Sequence, residues 1–193
     1  MTTTHILYHA ENCQVRNKAH LRQKLDALFR NLPKEYLVSG TKTELLSGAI
    51  FFGEGTVSGL DEFKPDIPYY TFCRGNDMVT MFRLNSRYPL RMTIPWRTCS
   101  GQNGTVVTSA DRVRYEGELV TSTTQNGTES KIDNLMPVVM ESINVGMTGG
   151  GDTGNIVAVI LGFVCSRPFR VFWTESVTFT VEDTLNQALR ELK

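Results

Sequence analysis

The sequence has little that would place it in a membrane, in the secretory pathway or among disordered proteins. Its longest apolar run, residues 156–165, covers ten residues, whereas a membrane-spanning helix needs about 20. The first residues, MTTTHILYHAENC, lack the charged and long apolar segments of a signal peptide. Charged residues make up 21% of the chain and proline occurs seven times, which is not the composition of a disordered protein. We therefore expect a globular protein with no membrane segment and no route through a signal peptide.

Motifs for metal binding, redox chemistry and nucleophilic catalysis are also missing. None of Cys13, Cys73, Cys99 and Cys165 lies in a C-x-x-C pair, so neither a zinc knuckle nor a thioredoxin-like site is expected. The chain has no Gly-x-Ser-x-Gly and no His-Glu-x-x-His. We expect no cofactor and no metal, and we favour a non-enzymatic protein, although sequence motifs do not reveal dispersed catalytic residues. Few cysteines without an export signal predict reduced, mostly buried thiols and a cytoplasmic, nuclear or virion location.

Hydrophobic periodicity predicts two amphipathic helices, one near each end of the chain. In residues 16–31, Leu21, Leu25, Leu28, Phe29 and Leu32 form one stripe with a 3.6-residue period. Pro33 ends this helix because proline cannot continue the hydrogen-bond ladder. A second helix is predicted over residues 181–192, with Thr180 and Asp183 in the spacing of a capping box.

Between the helices the sequence predicts strands and turns. The predicted strands cover residues 5–9, 45–52, 69–74, 78–84, 90–94, 105–108, 112–124, 137–145, 155–165 and 169–180. The apolar segment 156–164 is expected to be a central strand, with Trp173 and Phe179 continuing its core. The Asn-Gly-Thr segments at Asn103 and Asn126 are interpreted as hairpin turns rather than as glycosylation sites.

The fold expected from this pattern is mainly β. Strands at even spacing, without strand–helix alternation, argue against a parallel α/β sheet. We predict an antiparallel β-sandwich of jelly-roll type, or a barrel, with an N-terminal and a C-terminal amphipathic helix. No low-complexity linker divides the sequence, so residues 1–193 are expected to form a single domain.

Two motifs suggest chemistry but have simpler explanations. Glu116 and Glu118 alternate with apolar residues in a predicted strand, and a polar barrel interior could use such a pair to bind a divalent metal and a phosphate. Tunnel-type RNA triphosphatases need a second Glu-x-Glu, and this chain has none. The simpler interpretation is that these charges pair with neighbours across a half-solvated sheet face. The glycine-rich segment 147–154 lacks the lysine of a phosphate loop and is interpreted as a hairpin loop.

Charge is balanced over the chain but unevenly distributed. Residues 1–100 hold 13 basic and 9 acidic groups, against 7 and 11 in residues 101–193. Cations with interleaved aromatic residues suit a single-stranded nucleic acid, because they neutralise phosphates and stack on bases. The candidate nucleic-acid-binding residues are Arg16, Lys18, Arg22, Lys24, Arg83, Arg87, Arg91 and Arg97.

These observations favour a non-enzymatic structural or interaction protein. We expect it to assemble with itself as a homo-oligomer or with partner subunits, as a viral coat-like protein or a subunit of a complex does. One alternative is an RNA- or single-strand-binding module that uses the eight basic residues. A second alternative is a barrel-type metal-dependent phosphohydrolase with Glu116 and Glu118 as ligands.

Overall fold

A computed structural model describes residues 18–38, 43–45, 50–124, 127–149 and 166–192. Over these ranges the chain is mainly β, with two antiparallel sheets and one helix toward each end of the sequence. Among the described residues the two sheets are separate and share one core, which makes the arrangement sandwich-like and not a closed barrel. This confirms the predicted antiparallel class with two terminal helices.

Helix α1 spans Lys18–Arg30, close to the predicted range; residues 16 and 17 lie outside the described ones. It forms because its apolar side chains follow one helical face, and this face is buried in the core. Tyr69 of the neighbouring sheet donates a hydrogen bond from its hydroxyl to the Asp26 carboxylate at 2.6 Å. Apolar contacts and this hydrogen bond together fix the position of the helix.

In the part of the chain that the structure describes, eleven strands form the two sheets. Their bounds are β1 Glu35–Val38, β2 Thr43–Leu45, β3 Ile50–Phe52, β4 Gly55–Ser58, β5 Phe63–Arg74, β6 Asp77–Ser86, β7 Leu90–Thr98, β8 Asn103–Ala110, β9 Arg112–Thr124, β10 Gly127–Glu141 and β11 Asn144–Met147. The seven-stranded sheet has the order β1-β4-β7-β3-β2, with β8 also paired to β7 and β11 paired to β8. The four-stranded sheet has the order β10-β9-β6-β5 and contains the longest strands.

The C-terminal helix is longer than predicted, and it replaces an expected strand. Helix α2 spans Ser166–Glu191, so the prediction of a strand over residues 169–180 was wrong. Valine, threonine and aromatic residues favour strands, but Trp173, Val177 and Val181 recur every four residues and are buried in the core. Tertiary packing of this stripe outweighs the local propensity. Trp173 lies in the core as expected, whereas Phe179 is exposed, contrary to expectation.

The predicted start of this helix at Thr180 was also wrong, because Thr180 lies inside α2. Its hydroxyl donates a hydrogen bond to the Ser176 carbonyl at 2.8 Å, and that of Thr184 donates to the Thr180 carbonyl at 2.7 Å. Each hydroxyl thus finds an acceptor one helical turn earlier. The two threonines are accommodated within the helix without leaving a polar group unpaired.

Two other predicted strands each correspond to parts of two observed strands. Predicted strand 45–52 contributes to two short strands, β2 and β3, which pair with each other. Predicted strand 137–145 is split between β10 and β11, with Ser142 at a φ of 53° between them. The predicted strands 5–9 and 155–165 and residues 150–154 of the glycine-rich loop lie outside the described residues.

The two Asn-Gly segments have different outcomes. Asn103 and Gly104 lie in β8, so the prediction of a turn there was wrong; the turn precedes them, where the Thr98 N–H donates to the Gln102 carbonyl at 2.8 Å. A side chain on Gly104 would bring its Cβ to 1.9 Å from the Thr148 carbonyl oxygen. Glycine is therefore required there by a close backbone approach. Residues 125 and 126 of the second segment, between β9 and β10, lie outside the described residues.

No helix in the described ranges combines the length and the apolar character that are needed to cross a membrane.

Candidate functional site

The outer face of the four-stranded sheet is its face away from the core, and strand register arranges its side chains in rows. In one row Asp66 lies opposite Arg83, Arg83 opposite Glu116, and Glu116 opposite Met136. In the next row Tyr70 lies opposite Met81, Met81 opposite Glu118, and Glu118 opposite Asp133. Directly opposite residues of an antiparallel pair share a face. Each row therefore runs across all four strands.

Large apolar side chains are concentrated on this sheet. The described residues include eight exposed large hydrophobic side chains, and four of them belong to the four-stranded sheet. Tyr70 and Met136 are 66% and 59% exposed, and Met81 lies between their strands. Val138 is exposed beside them, where the register of β10 shifts. An ordinary solvated sheet face carries polar residues at such positions, so this clustering needs a functional explanation.

The charges of the outer face pair with one another across the strands. The Arg83 Nε donates to the Glu116 Oε1 at 2.6 Å, and the Arg74 Nη2 donates to the Glu118 Oε2 at 2.9 Å. The second pair spans the intervening strand β6, where Val79 is fully buried. The interpretation of the Glu-x-Glu segment as charges that pair across a sheet face is confirmed.

Each of the two glutamates therefore forms an ion pair with an arginine, although Asp133 lies opposite Glu118 on β10. Asn134 also donates its amide Nδ2 to the Glu118 Oε2, at 3.0 Å. Among the residues that the structure describes, no three His, Cys, Asp or Glu side chains are grouped to hold a metal ion. The phosphohydrolase alternative gains no support from this geometry.

A shallow cleft of about 310 Å³ opens on the outer face. Its lining includes Asp66, Tyr70, Met81, Arg83 and Glu116. This volume is at the lower limit for a small-molecule pocket. Arg83 contacts Glu116 through its Nε and also lines the cleft. The exposed Asp66 forms no ion pair within the described ranges.

Bulges in the edge strands position the apolar members of the face. The register of β5 shifts between Asp66 and Tyr70, and that of β10 shifts between Asp133 and Met136. Asn134, in the second bulge, has a φ of 52°, in the left-handed region that asparagine tolerates better than most residues. These shifts were invisible in the sequence, because alternation alone assumes one continuous phase along each strand.

The eight basic residues predicted to bind nucleic acid are distributed over several surfaces. Arg16 lies outside the described residues, and Lys18 begins α1. Arg22 is exposed on α1, and Lys24 donates from Nζ to the Ser130 hydroxyl at 3.2 Å. Arg22 is therefore an exposed cation on the helix, whereas Lys24 is held against β10.

The other four basic residues divide between the two sheets and a loop. Arg83 lies on the outer face, already paired with Glu116. Arg87 is exposed between β6 and β7. Arg91 and Arg97 are exposed on β7 of the other sheet, where the Arg97 guanidinium lies 5.2 Å from the centre of the Phe51 ring. The structure thus brings Arg91 and Arg97 to one strand and separates them from the candidate residues of α1, from Arg83 and from Arg87. The role of all eight residues in nucleic-acid binding stays a prediction.

Helix α2 closes one edge of the four-stranded sheet. The side-chain amide of Asn186 accepts a hydrogen bond from the Ile132 N–H at 2.8 Å and donates one to the Ile132 carbonyl at 3.1 Å. An unpaired edge strand is a template for adding another strand, and this contact occupies the edge of β10 at Ile132. The open edge of β10 is thereby restricted at Ile132.

Polar contacts also join α2 to the other sheet and shift the ionisation of nearby groups. The Tyr36 hydroxyl donates to the Asp183 carboxylate at 2.6 Å. This hydrogen bond, with burial and the carboxylate charge, raises the pKa of Tyr36 to about 12. Burial and the neighbouring Asp133 raise the pKa of Glu182 above its ordinary value, although Lys131 acts in the opposite direction.

The cysteines differ from the expectation of reduced, buried thiols. Cys73 is disulfide-bonded, and Cys99 is free and exposed. Pairing depends on which Cα atoms approach within a few ångströms, which sequence spacing does not reveal. The predicted cytoplasmic, nuclear or virion location rested partly on reduced thiols, so the Cys73 bond removes that support.

Neither a protein-family model nor a curated protein matches this chain. The outer face of the four-stranded sheet is therefore the feature from which we infer a function. The sequence pattern did not lead us to the apolar residues of this face. Met81 lies on the same side of its predicted strand as Arg83, and an apolar side chain on the charged side of a strand was the signal that could have identified them.

Proposed function

We propose that this chain is a non-enzymatic interaction protein that assembles with itself or with partner subunits through the outer face of the four-stranded sheet. One observation carries the proposal: Tyr70, Met81 and Met136 are exposed on a face where Glu116 and Glu118 are already paired with arginines. Exposed contiguous apolar surface marks interaction sites, and tyrosine, methionine and arginine are the residues enriched in them.

The arrangement of charge supports a protein partner over a small ion. Arg83 and Glu116 neutralise each other on the central strands, and Lys131 contacts Asp133 at 3.3 Å on β10. A face with paired charges exerts little long-range attraction on a highly charged ligand. It can instead be covered by a surface of similar mixed character, with the apolar residues as anchors.

The proposal also includes four expectations from the sequence. Residues 1–193 form a single domain, and the sandwich is of jelly-roll type. The protein acts as a coat-like protein or a subunit of a complex, in the cytoplasm, the nucleus or a virion. The two-sheet architecture and its shared core are compatible with each of them. None is needed for the argument from the outer face.

The experiment is light scattering behind size exclusion on the full chain and two variants. Tyr70→Lys combined with Met136→Lys places two cations among the apolar residues of the face. Leu37→Lys is the matched control, because Leu37 is 54% exposed on β1 of the other sheet. We expect the assembly to dissociate in the double variant and to persist in the control, with circular dichroism unchanged in both.

Either of two results would contradict the proposal. In the first, the double variant elutes with the same mass as the parent chain. In the second, the parent is monomeric at high concentration and acquires no partner during purification from its own source.

Nucleic-acid binding is the second candidate, and exposed cations favour it. Within the described ranges, Arg22, Arg87 and Arg91 are exposed and form no ion pair. Binding through such residues would weaken steeply with salt. The 260/280 nm absorbance ratio across the same chromatographic peak tests it, followed by titration of single-stranded RNA at 50 mM salt. Arg91→Glu should weaken any binding; no binding at this salt concentration contradicts the candidate.

A further inference from the structure

We infer that Asn103 on β8 is an N-glycosylation site and that the chain folds in the oxidising lumen of the secretory pathway. The inference goes beyond the proposed function and does not depend on the outer face of the four-stranded sheet. It narrows the location, because a protein glycosylated in this lumen reaches a virion, a cell surface or the medium, and not the cytoplasm or the nucleus. Three observations support it: the sequence around Asn103, the position of its side chain, and the disulfide bond of Cys73.

Asn103, Gly104 and Thr105 form an acceptor sequence for N-glycosylation, which is Asn-x-Thr with a residue other than proline in the middle. The sequence alone favoured a hairpin turn at this segment, because Asn-Gly pairs are typical of two-residue turns. All three residues lie in β8, however, and the turn precedes them. The turn therefore no longer explains the asparagine.

The fold uses Gly104 and Thr105 but not the Asn103 side chain. Gly104 is required by the close approach of the Thr148 carbonyl, and the Thr105 Oγ1 lies 2.8 Å from the Thr148 Oγ1, in a hydrogen bond. In the part of the chain that the structure describes, the Asn103 side-chain amide forms no hydrogen bond. Asparagine is depleted in strands, so an exposed asparagine without a hydrogen bond contributes nothing to the fold. A role outside folding accounts for this residue.

The Asn103 side chain points away from the core. Asn103 lies opposite Arg97 of β7 in the register, and directly opposite residues of an antiparallel pair share a face. Both residues are exposed, whereas Trp96 and Thr108, which alternate with them on the same two strands, are buried. An oligosaccharide on Asn103 would therefore extend into solvent from the seven-stranded sheet without displacing a core side chain.

The disulfide bond of Cys73 is an independent indication of the compartment. Disulfides form and persist in the secretory lumen and outside the cell, and they are rare in the reducing cytoplasm and nucleus. Proteins with N-linked oligosaccharides are modified in the same lumen. Cys73 lies on β5 of the four-stranded sheet and Asn103 begins β8 of the seven-stranded sheet. Neither feature is a structural consequence of the other, so the two observations support one location separately.

The modification is a group transfer to the side-chain amide of Asn103. Its Nδ2 forms a bond to C1 of the first sugar of a lipid-pyrophosphate-linked oligosaccharide, and the bond from that carbon to the pyrophosphate oxygen breaks. The lipid pyrophosphate leaves, the amide gives one proton to a base of the transferase, and no atom is oxidised or reduced. The transfer precedes folding of this segment, because in β8 the Thr105 hydroxyl of the acceptor sequence is already bonded to Thr148.

Mass spectrometry of the chain purified from its own source tests the inference. Peptide-N-glycosidase in heavy-oxygen water releases the oligosaccharide and converts the glycosylated asparagine to an aspartate that carries the oxygen label. We expect the label at position 103. A parallel incubation without the enzyme is the control, because Asn-Gly pairs also lose their amide spontaneously. The peptide with the second acceptor sequence, at Asn126, is analysed separately, since Asn126 lies outside the described residues.

Variants of the full chain, expressed in the same cells, show whether the acceptor sequence is responsible. Asn103→Gln removes the acceptor and leaves both threonines, so it should lose one oligosaccharide. Thr105→Ala keeps Asn103 but should lose the same oligosaccharide, whereas the matched control Thr105→Ser keeps the hydroxyl and should be glycosylated like the parent. Electrophoretic mobility before and after the glycosidase measures the loss, as one step per oligosaccharide.

The outcomes separate this inference from the proposed function. If Asn103 is unmodified in the protein from its own source, or if Cys73 reacts with a thiol reagent without prior reduction, the inference is wrong. Neither result changes the assembly expected of the Tyr70 and Met136 variants. Label at position 103 only after enzyme treatment, with loss of one oligosaccharide in Asn103→Gln and retention in Thr105→Ser, supports the inference.

Discussion

The two faces of the four-stranded sheet are built from alternate residues of the same strands, yet they perform different tasks. On β6, Phe82 is 2% exposed and packs with Phe29 of α1 at 5.3 Å between ring centres, whereas the adjacent Met81 is 40% exposed. On β9, the buried Leu119 follows Glu118, which accepts hydrogen bonds from Arg74 and Asn134. The inner face contributes to folding, and the outer face retains apolar groups that folding leaves in solvent.

This contrast shows how a binding face can be recognised without a ligand. A sheet face that only meets water gains nothing from a large apolar side chain, because such a group stays hydrated in the folded chain. Tyr70 and Met136 therefore stabilise nothing until another surface covers them. Their concentration next to paired charges distinguishes this face from that of the seven-stranded sheet, whose exposed large apolar residue is Leu37 among the described residues.

The largest expected effect comes from truncating the inner face. Phe82→Ala removes a buried ring and leaves a cavity, so we expect a loss of about 3–5 kcal/mol in the free energy of unfolding. Met81→Ala, one residue away, should change it by less than about 0.5 kcal/mol but weaken assembly. Urea denaturation of both variants at low concentration measures the difference. Similar losses for the two variants would contradict the division of tasks between the faces.

Gly117 gives a smaller effect on the same inner face. It lies opposite Phe82, and a Cβ on it would approach the Phe82 ring to 2.7 Å and Leu135 to 2.9 Å. Gly117→Ala should overpack this site and cost about 1–3 kcal/mol. Gly146→Ala is the matched control, because its Cβ would meet only the Val107 carbonyl at 3.9 Å. Thermal denaturation in which the two variants have equal Tm values would refute the tight contact.

A polar contact on the core side should make the stability depend on pH in the alkaline range. The pKa of Tyr36 is raised to about 12 from an ordinary value of 10.0. The stability from its hydrogen bond to Asp183 is therefore present in full below pH 10 and is lost as the pH rises toward 12. One hydrogen bond contributes about 1 kcal/mol, or about 2–4 °C in Tm for a chain of this size.

Tyr36→Phe should accordingly have a lower Tm than the parent at pH 8, and the difference should shrink between pH 10 and 12. Comparison of the two proteins cancels the ionisation of the other tyrosines, including Tyr69 and Tyr115, whose pKa values burial also raises. A difference that stays constant over this pH range would show that the phenol does not lose its proton there.

The sequence predicted correctly those helices and strands in which the spacing of apolar residues coincides with the spacing of buried residues. Helix α1 and strand β9 were found close to their observed bounds, because the Leu25 and Leu28 stripe and the alternation around Tyr115 are each decided by one buried face. Helix α2 was assigned in part to a strand, because Val171, Trp173 and Val177 have strand propensity and only packing against both sheets selects the helix.

The outer face could be predicted only in part. The alternation of β9 placed Glu116 and Glu118 on one side of the strand, and pairing with basic neighbours was the expected outcome. Which arginines approach them depends on β5 and β6, which are distant in sequence. Met136 joins the face through a register shift in β10, and a shift of one residue reverses the side to which every later side chain points.

The smallest expected effect on folding concerns Arg83, whose distance of 2.6 Å to Glu116 equals that between Tyr36 and Asp183. Arg83 is exposed, and exposed ion pairs contribute about 0–1 kcal/mol because water and salt screen them. Arg83→Gln should therefore change the free energy of unfolding of the monomer by less than about 1 kcal/mol, and by less still at 1 M salt. The same variant should weaken assembly, since a partner surface excludes solvent from the outer face. Urea denaturation and light scattering behind size exclusion on one preparation measure both quantities, and a large folding defect with unchanged assembly would assign Arg83 to the stability of the sheet instead of its interface.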